Sequence, residues 1–103
     1  MPHYIVLGNF TEKMKKDIKN LHKTREAANA ALKAAGAKIQ RFYPLGQYDV
    51  IALLEAPSDE AMMKLSLQIN MTGRIKTQTL RAFSEDEFFT MVETTEALGK
   101  PPA

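Results

Sequence analysis

Apolar residues follow two different spacings along this chain, and the spacing predicts where strands and helices lie. Four short runs are rich in β-branched and apolar residues, which is typical of β-strands. Between and after them, apolar residues recur every three or four positions, which indicates helices that bury one face. The predicted strands span residues 3–9, 37–43, 48–55 and 74–83.

The first predicted helix begins after Thr11, whose hydroxyl can cap it, and ends at Gly36, because glycine accepts the left-handed backbone that closes a helix. Residues 20–23 have weaker helical propensity, so a kink or break is expected there. Proline and glycine within residues 44–47 predict the turn of a hairpin between the second and third strands.

Two further helices are indicated by the residues that would cap them. Ser58 precedes acidic residues and an apolar stripe of Met62, Leu65 and Ile69. Residues 84–87 have the sequence of a capping box, and the helix that it starts carries Phe88, Phe89, Val92 and Leu98.

This order of elements, βαββαβ with an added C-terminal helix, predicts an α+β protein with a ferredoxin-like sandwich. Right-handed crossovers place the first and third strands at the centre of the sheet. Those two strands are apolar on both faces, whereas the second and fourth carry lysine, arginine and glutamine, as edge strands tolerate. The sequence therefore predicts a central pair of buried strands.

One face of the predicted sheet has no helix to cover it. Burying its apolar side chains would favour association, since each Å² of apolar surface contributes about 25 cal/mol. We therefore expect a homodimer, or a larger oligomer built from it, in which two sheets pack face to face as a dimeric α/β barrel. The alternative is that the C-terminal helix, with Phe88, Phe89 and Val92, folds over this face of its own chain.

The composition fits one globular domain, since the chain has 103 residues, of which 45% are hydrophobic and 25% are charged. We assign residues 1–98 to this domain and residues 99–103 to a flexible tail. The absence of cysteine excludes disulfides and thiolate chemistry and is compatible with a cytoplasmic location. Neither a signal peptide nor an apolar run long enough to cross a membrane is expected.

Charge argues against a polyanionic partner, because fourteen basic and twelve acidic side chains leave a net charge of only +2. The first helix is nevertheless basic, with Lys13, Lys15, Lys16, Lys19 and Lys23. These lysines could contact nucleic acid or an acidic membrane, but no aromatic residues interleave with them as a stacking platform requires. A solvated helix face is the better interpretation, so neither partner is expected.

The two histidines, His3 and His22, lie on different predicted elements. Either could act as a general base, and we include His3 among the candidate ligand-binding residues. A metal site needs at least three converging ligands, and no paired-histidine spacing is present. No metal or cofactor is therefore expected.

The remaining candidates for ligand binding lie in two places. Tyr48 and Asp49 open the third predicted strand, where they could contact a ligand or could anchor the turn through backbone N–H groups and a packed ring. Thr79 and Arg81 share one face of the fourth strand. Arg81 could bind a carboxylate or phosphate there, or it could form a salt bridge to Asp49, Glu55 or a second copy.

Four blocks of the sequence resemble the GYD domain family of small bacterial proteins. They are residues 4–7 with Phe10-Thr11, residues 46–49 (Gly-Gln-Tyr-Asp), residues 55–57 (Glu-Ala-Pro) and residues 79–83 (Thr-Leu-Arg-Ala-Phe). The order of these blocks over roughly residues 3–90 is more specific than Gly-x-Tyr-Asp alone. The resemblance implies a ferredoxin-like dimer and implies no assigned substrate, cofactor or reaction.

Three functions from different classes fit these features. We favour a small-molecule binding or sensing module, with a pocket inside the dimeric barrel for a small anionic or aromatic ligand, lined by Tyr48, Thr79, Arg81 and His3. The second is a cofactor-independent enzyme, such as a small isomerase or monooxygenase, which needs a titratable side chain in a cavity. The third is a structural or assembly protein in which exposed strand edges extend the dimer.

Overall fold

The computed structural model of the protein describes residues 1–96. The elements in chain order are β1 (His3–Phe10), α1 (Glu12–Lys16), a 3-10 turn (Ile18–Asn20), α2 (Leu21–Ala34), β2 (Lys38–Phe42), β3 (Val50–Glu55), α3 (Asp59–Met71), β4 (Ile75–Ala82) and α4 (Glu85–Thr94). The predicted helical residue Leu98 and the predicted tail at residues 99–103 lie outside the described range.

The four strands form one antiparallel sheet in the order β2-β3-β1-β4. This order confirms the predicted α+β, ferredoxin-like fold, and it confirms that the first and third strands are central. In the register of the sheet, Tyr4 lies opposite both Leu54 and Arg81, and Val6 lies opposite both Ala52 and Thr79. These residues therefore share one face of the sheet.

That face is covered by helices and forms the core. Tyr4, Ala52 and Leu54 of the sheet are buried against Leu32 of α2 and Met62 and Leu65 of α3. Val6 and Ile39 are partly buried beside them. Because successive strand residues alternate between faces, the neighbours of these residues point to the opposite, open face.

The first helical region is interrupted more strongly than the sequence predicts. Thr11 caps α1 as expected, since its Oγ1 accepts a hydrogen bond from the Met14 N–H at 3.5 Å. The helix ends at Asp17, whose carboxylate lies 3.1 Å from the Arg74 guanidinium and accepts a hydrogen bond from the Asn20 amide. These contacts fix the break at residues 17–20 and let α2 start in a new direction.

The loop between β2 and β3 is longer than the tight turn that the sequence predicts. It spans residues 43–49, so Tyr48 and Asp49 precede β3 and do not belong to the strand. Gly46 has a φ of +120°, a backbone conformation that glycine adopts without a side-chain clash. The predicted role of Gly46 in the turn is therefore confirmed, while the predicted start of the third strand is two residues too early.

Helix α4 extends away from the sheet and does not cover the open face. Its capping box is present: Ser84 Oγ accepts from the Glu87 N–H at 3.2 Å and Glu87 Oε1 accepts from the Ser84 N–H at 3.0 Å. Phe88, Phe89 and Val92 are 53–58% exposed, so the alternative that they fold over their own sheet is not observed.

The open face consequently keeps apolar side chains at its surface. Phe42, Leu53 and Leu80 are 40–49% exposed there, with Ile5, Leu7 and Ile51 half-buried between them. Within residues 1–96, none of the helices has the length and apolar character that crossing a bilayer demands.

Candidate functional site

A cavity of about 460 Å³ that is partly open to solvent lies between the helices and the sheet. We call it the helix–sheet cavity. Its lining is mostly apolar and comes from both layers, with Val6, Ile39, Val50, Ala52 and Leu54 from the sheet and Met14, Leu21, Ala28, Ala31, Met62 and Ile69 from the helices.

The cavity follows from the small side chains that face each other across the two layers. Helix α2 contributes Ala28 and Ala31, which are one turn apart, and Ala52 lies in the middle of β3. Alanine side chains end at Cβ, so they cannot fill the space that separates a helix from a sheet. Protein interiors are otherwise close-packed, so a space of this size is a specific feature of the fold.

One wall of the cavity is polar and belongs to α3 and β4. Ser66 Oγ and Thr79 Oγ1 lie 3.5 Å apart, and the Asn70 amide donates to Thr77 Oγ1 at 2.7 Å. The Thr77 N–H donates back to Asn70 Oδ1 at 3.1 Å. Thr77 and Asn70 therefore satisfy each other, whereas the longer Ser66–Thr79 contact leaves both hydroxyls available to a ligand.

Every charged residue of the described chain that lines the cavity is basic. The four are Lys23, Arg25, Arg41 and Arg74. Arg74 is neutralised by Asp17, with 3.1 Å between guanidinium and carboxylate. The other three have no carboxylate within 4 Å among residues 1–96, so the charged groups at the cavity carry a net positive charge.

Among the three lining cations without a carboxylate partner, Arg41 is the most buried. It is half-buried on β2, opposite Ala52 in the sheet register, and its Nη1 donates to Asn29 Oδ1 at 2.7 Å. Burial lowers the pKa of Arg41, the neighbouring Tyr43 acts in the opposite direction, and the positive charge of Arg25 lowers the pKa again. Arginine stays protonated despite such shifts, so a positive charge is kept in a partly dehydrated place.

Thr79 and Arg81 lie on the helix-covered face, but only Thr79 reaches the cavity. Arg81 sits at the end of β4, with its guanidinium 4.4 Å from the Phe83 ring centroid and its Nε 3.8 Å from Asp59 Oδ1. Its carboxylate partner is thus Asp59 of the same chain, and neither Asp49 nor Glu55. The Arg81 Nη1 also donates to the His3 carbonyl at 3.2 Å.

Tyr4 contacts the same Asp59 carboxylate as Arg81. Its buried hydroxyl donates to Asp59 Oδ1, and its ring centroid lies 5.6 Å from the Arg81 guanidinium. Burial raises the pKa of Tyr4, and the hydrogen bond to Asp59 raises it as well. These contacts join the start of α3 to β1 and β4, which is a structural role.

His3 points to the open face, away from Thr79 and Arg81. Its Nε2 lies 3.3 Å from Glu55 Oε1 and its Nδ1 lies 3.1 Å from Glu87 Oε1. His3 therefore connects the sheet to the first turn of α4.

Asp49 anchors its loop to β1. Its Oδ2 accepts from the Phe10 N–H at 2.8 Å, and its own N–H donates to the Gly8 carbonyl at 2.9 Å. Turn-anchoring was one of its two predicted roles, although the donor comes from β1 and not from its own turn. Tyr48 is half-buried in the same loop, and within residues 1–96 its hydroxyl makes no hydrogen bond.

The five candidate residues therefore do not form one pocket in this chain. Thr79 lines the helix–sheet cavity, Arg81 and His3 lie on opposite faces of the sheet, and Tyr48 and Asp49 belong to the loop before β3. Over the part of the chain that the structure describes, no three histidine, aspartate or glutamate side chains converge as a metal site would need.

The sequence does not predict the cavity, and it favours Arg41 and Tyr43 as decoration of an edge strand over their alternative role in a polar rim with Tyr48. Arg41 alternates with Ile39 along β2, and that alternation places it on the same face as a core residue. This pattern could have identified an arginine that faces the helices from an edge strand.

An antiparallel sheet of this order, with helices on one face and a Gly-x-Tyr-Asp loop tied to its central strand, defines a ferredoxin-like α+β protein. Within that class, the chain belongs to the GYD domain family, which it matches over residues 4–92. The match confirms the resemblance seen in the sequence, and the family has no assigned function. None of the proteins with curated functions is similar enough to match this chain.

Proposed function

We propose that this protein binds a small, largely apolar molecule in the helix–sheet cavity. The observation that carries the proposal is the cavity, whose volume of about 460 Å³ falls in the range of small-molecule sites. At about 30 Å³ per non-hydrogen atom, the share of a water molecule in the liquid, it holds roughly fifteen such atoms. The predicted binding role is kept, while its location moves from the space between two sheets to the space under the helices.

Binding is better supported than catalysis by the groups around the cavity. Its lining within residues 1–96 includes no carboxyl group and no imidazole, and its titratable side chains besides arginine are Lys23 and Tyr43, both exposed to solvent. His3 and Tyr48, the pair that would favour an enzyme, lie elsewhere.

The lack of cysteine is compatible with a cytoplasmic location for this binding function.

The proposal is tested with 1-aminoanthracene, a neutral probe of about fifteen non-hydrogen atoms, matched to the volume given above, whose fluorescence rises in an apolar site. We expect saturable binding to the wild-type protein. Ala28→Leu, which places three more carbon atoms in the cavity, should weaken binding at least tenfold. Ala30→Leu is the matched control, because Ala30 is exposed on the same helix and does not line the cavity. Equal binding by all three proteins would place the probe elsewhere and would refute the proposal.

We also propose that two copies pair through the open face of the sheet. The exposed Phe42, Leu53 and Leu80 support this, since contiguous apolar surface is uncommon on a monomer. Light scattering should give twice the chain mass of 11.5 kDa. Leu53→Glu should give a monomer, whereas Leu67→Glu, at an exposed position of α3, should not.

The mass also separates this pairing from the assembly hypothesis. A clean dimer would count against extension through strand edges, and a larger ring in native mass spectrometry would support it. A wild-type mass equal to one chain would exclude both.

A further inference from the structure

The chemistry of a ligand for the helix–sheet cavity follows from the lining cations that have no carboxylate partner, of which Arg41 is the most buried. Arg41 uses one guanidinium nitrogen for Asn29, a neutral partner, at 2.7 Å. Among residues 1–96, its Nε and Nη2 donate to no acceptor. The guanidinium is half-buried and has no carboxylate partner among residues 1–96, so its free donors can exchange the water that they keep for an anionic group of a ligand.

The surroundings of Arg41 add to its positive charge. The charge of Arg25 is close enough to lower the pKa of Arg41, and Lys23 lines the same cavity. Arg74 is the exception, because Asp17 already neutralises it. A ligand with a negative group would therefore relieve repulsion between cations as well as fill apolar space.

We infer that the ligand is a monocarboxylate with an apolar body, and that Arg41 binds its carboxylate while the body lies between α2 and the sheet. This inference rests on the proposed function, since it assigns the ligand class of the same cavity. The planar guanidinium matches a carboxylate through two parallel N–H donors, and the free Nε and Nη2 form such a pair. Arg41 is the only half-buried member of the three unpaired cations, since Lys23 and Arg25 are exposed to water, so one negative charge meets the need beside it.

The experiment compares three ten-carbon compounds that differ in the head group: decanoate, decan-1-ol and decylammonium. Each displaces 1-aminoanthracene from the protein at pH 7.5, where the carboxylate is ionised. Decanoate has twelve non-hydrogen atoms, which the cavity can hold by the volume given above. We expect decanoate to bind at least tenfold more tightly than decan-1-ol, and decylammonium to bind most weakly.

Variants assign the effect to Arg41. Arg41→Gln should weaken decanoate at least tenfold and change decan-1-ol by less than about twofold, because charge-assisted hydrogen bonds contribute more than neutral ones. Lys33→Gln is the matched control, since it removes one positive charge from an exposed position of α2 outside the cavity. Arg41→Lys keeps the positive charge but loses the two parallel N–H donors, so its affinity for decanoate should lie between those of the wild-type protein and Arg41→Gln.

The outcomes separate the inference from the proposed function. If decanoate and decan-1-ol bind equally and Ala28→Leu blocks both, the cavity binds ligands but the carboxylate assignment is wrong. Tighter binding of decylammonium would also overturn it. If no compound binds, or if Ala28→Leu changes nothing, the proposed function fails as well. The head-group comparison uses the wild-type protein, so it decides the question even if Arg41→Gln does not fold.

Discussion

Filling the helix–sheet cavity should stabilise the protein, and Ala28→Leu is the substitution that shows it. Ala28 is half-buried on α2 and lines the cavity. Leucine adds three carbon atoms, each worth about 0.8 kcal/mol when fully buried, which gives an upper limit of about 2.4 kcal/mol. Ordering the leucine side chain costs about 0.5–1 kcal/mol, so the expected net gain is about 1–2 kcal/mol.

The gain is measured by urea unfolding, followed by circular dichroism, on protein refolded from urea so that no ligand from the cell contributes to wild-type stability. A gain of 1–2 kcal/mol corresponds to a rise of about 5–12 °C in the thermal midpoint for a domain of this size. Ala30→Leu, at an exposed position of the same helix, should change stability by less than about 0.5 kcal/mol, since alanine and leucine have similar helix propensities.

A loss of more than about 1 kcal/mol in Ala28→Leu would refute the reasoning. Inserting methylene groups into a filled core costs about 1–3 kcal/mol, so such a loss would mean that α2 already packs closely on the sheet. The proposed binding site would then not exist in solution.

Three further substitutions test contacts outside the cavity. Asp49→Ala should cost about 1–3 kcal/mol in urea unfolding, because it leaves the partly buried Phe10 N–H without its acceptor. The raised pKa of Tyr4 means that the folded state holds the phenol proton more tightly than the unfolded state. Its contribution to the free energy of unfolding is therefore complete below about pH 10 and falls at higher pH. Tyr4→Phe should remove this part of the loss of stability at alkaline pH. Hydrogen bonds from Ser84 hold the pKa of Glu87 below its usual range. The cap of α4 is therefore stable above about pH 4 and weakens as the pH falls. Glu87→Gln should make the helical circular dichroism signal less sensitive to acid.

Local sequence features predicted most of the fold because they act within a few residues. Ser58 and Ser84 cap their helices as expected, with 3.1 Å from the Ala61 N–H to Ser58 Oγ. The central position of β1 and β3 also followed from the sequence, because these two strands are apolar on both faces whereas the edge strands carry charged and polar residues. The break after α1 was placed too late, since it depends on Arg74, which is 57 residues away from Asp17.

The site was predicted less well because it depends on distances between layers. The sequence shows that Thr79 and Arg81 share a face, but not that the helices cover that face or that Asp59 pairs with Arg81. It shows alanines on α2, but not that they stand too far from Ala52 to close the gap. Tyr48 and Asp49 drew attention as family residues, while Arg41 looked like an ordinary edge-strand arginine.

The contact between Asp49 and Phe10 has a consequence for how this family could diversify. Phe10, which donates in that contact, and Val50, which follows Asp49 in the chain, both line the helix–sheet cavity. The Gly-x-Tyr-Asp residues, 46–49, thus hold in place the strands that line the cavity, although none of these four residues lines it. We expect relatives to share this loop while differing at lining positions such as Ala28 and Arg41, so that one arrangement of strands accepts different ligands. Exchanging lining residues between relatives should then transfer ligand preference and leave the signature untouched.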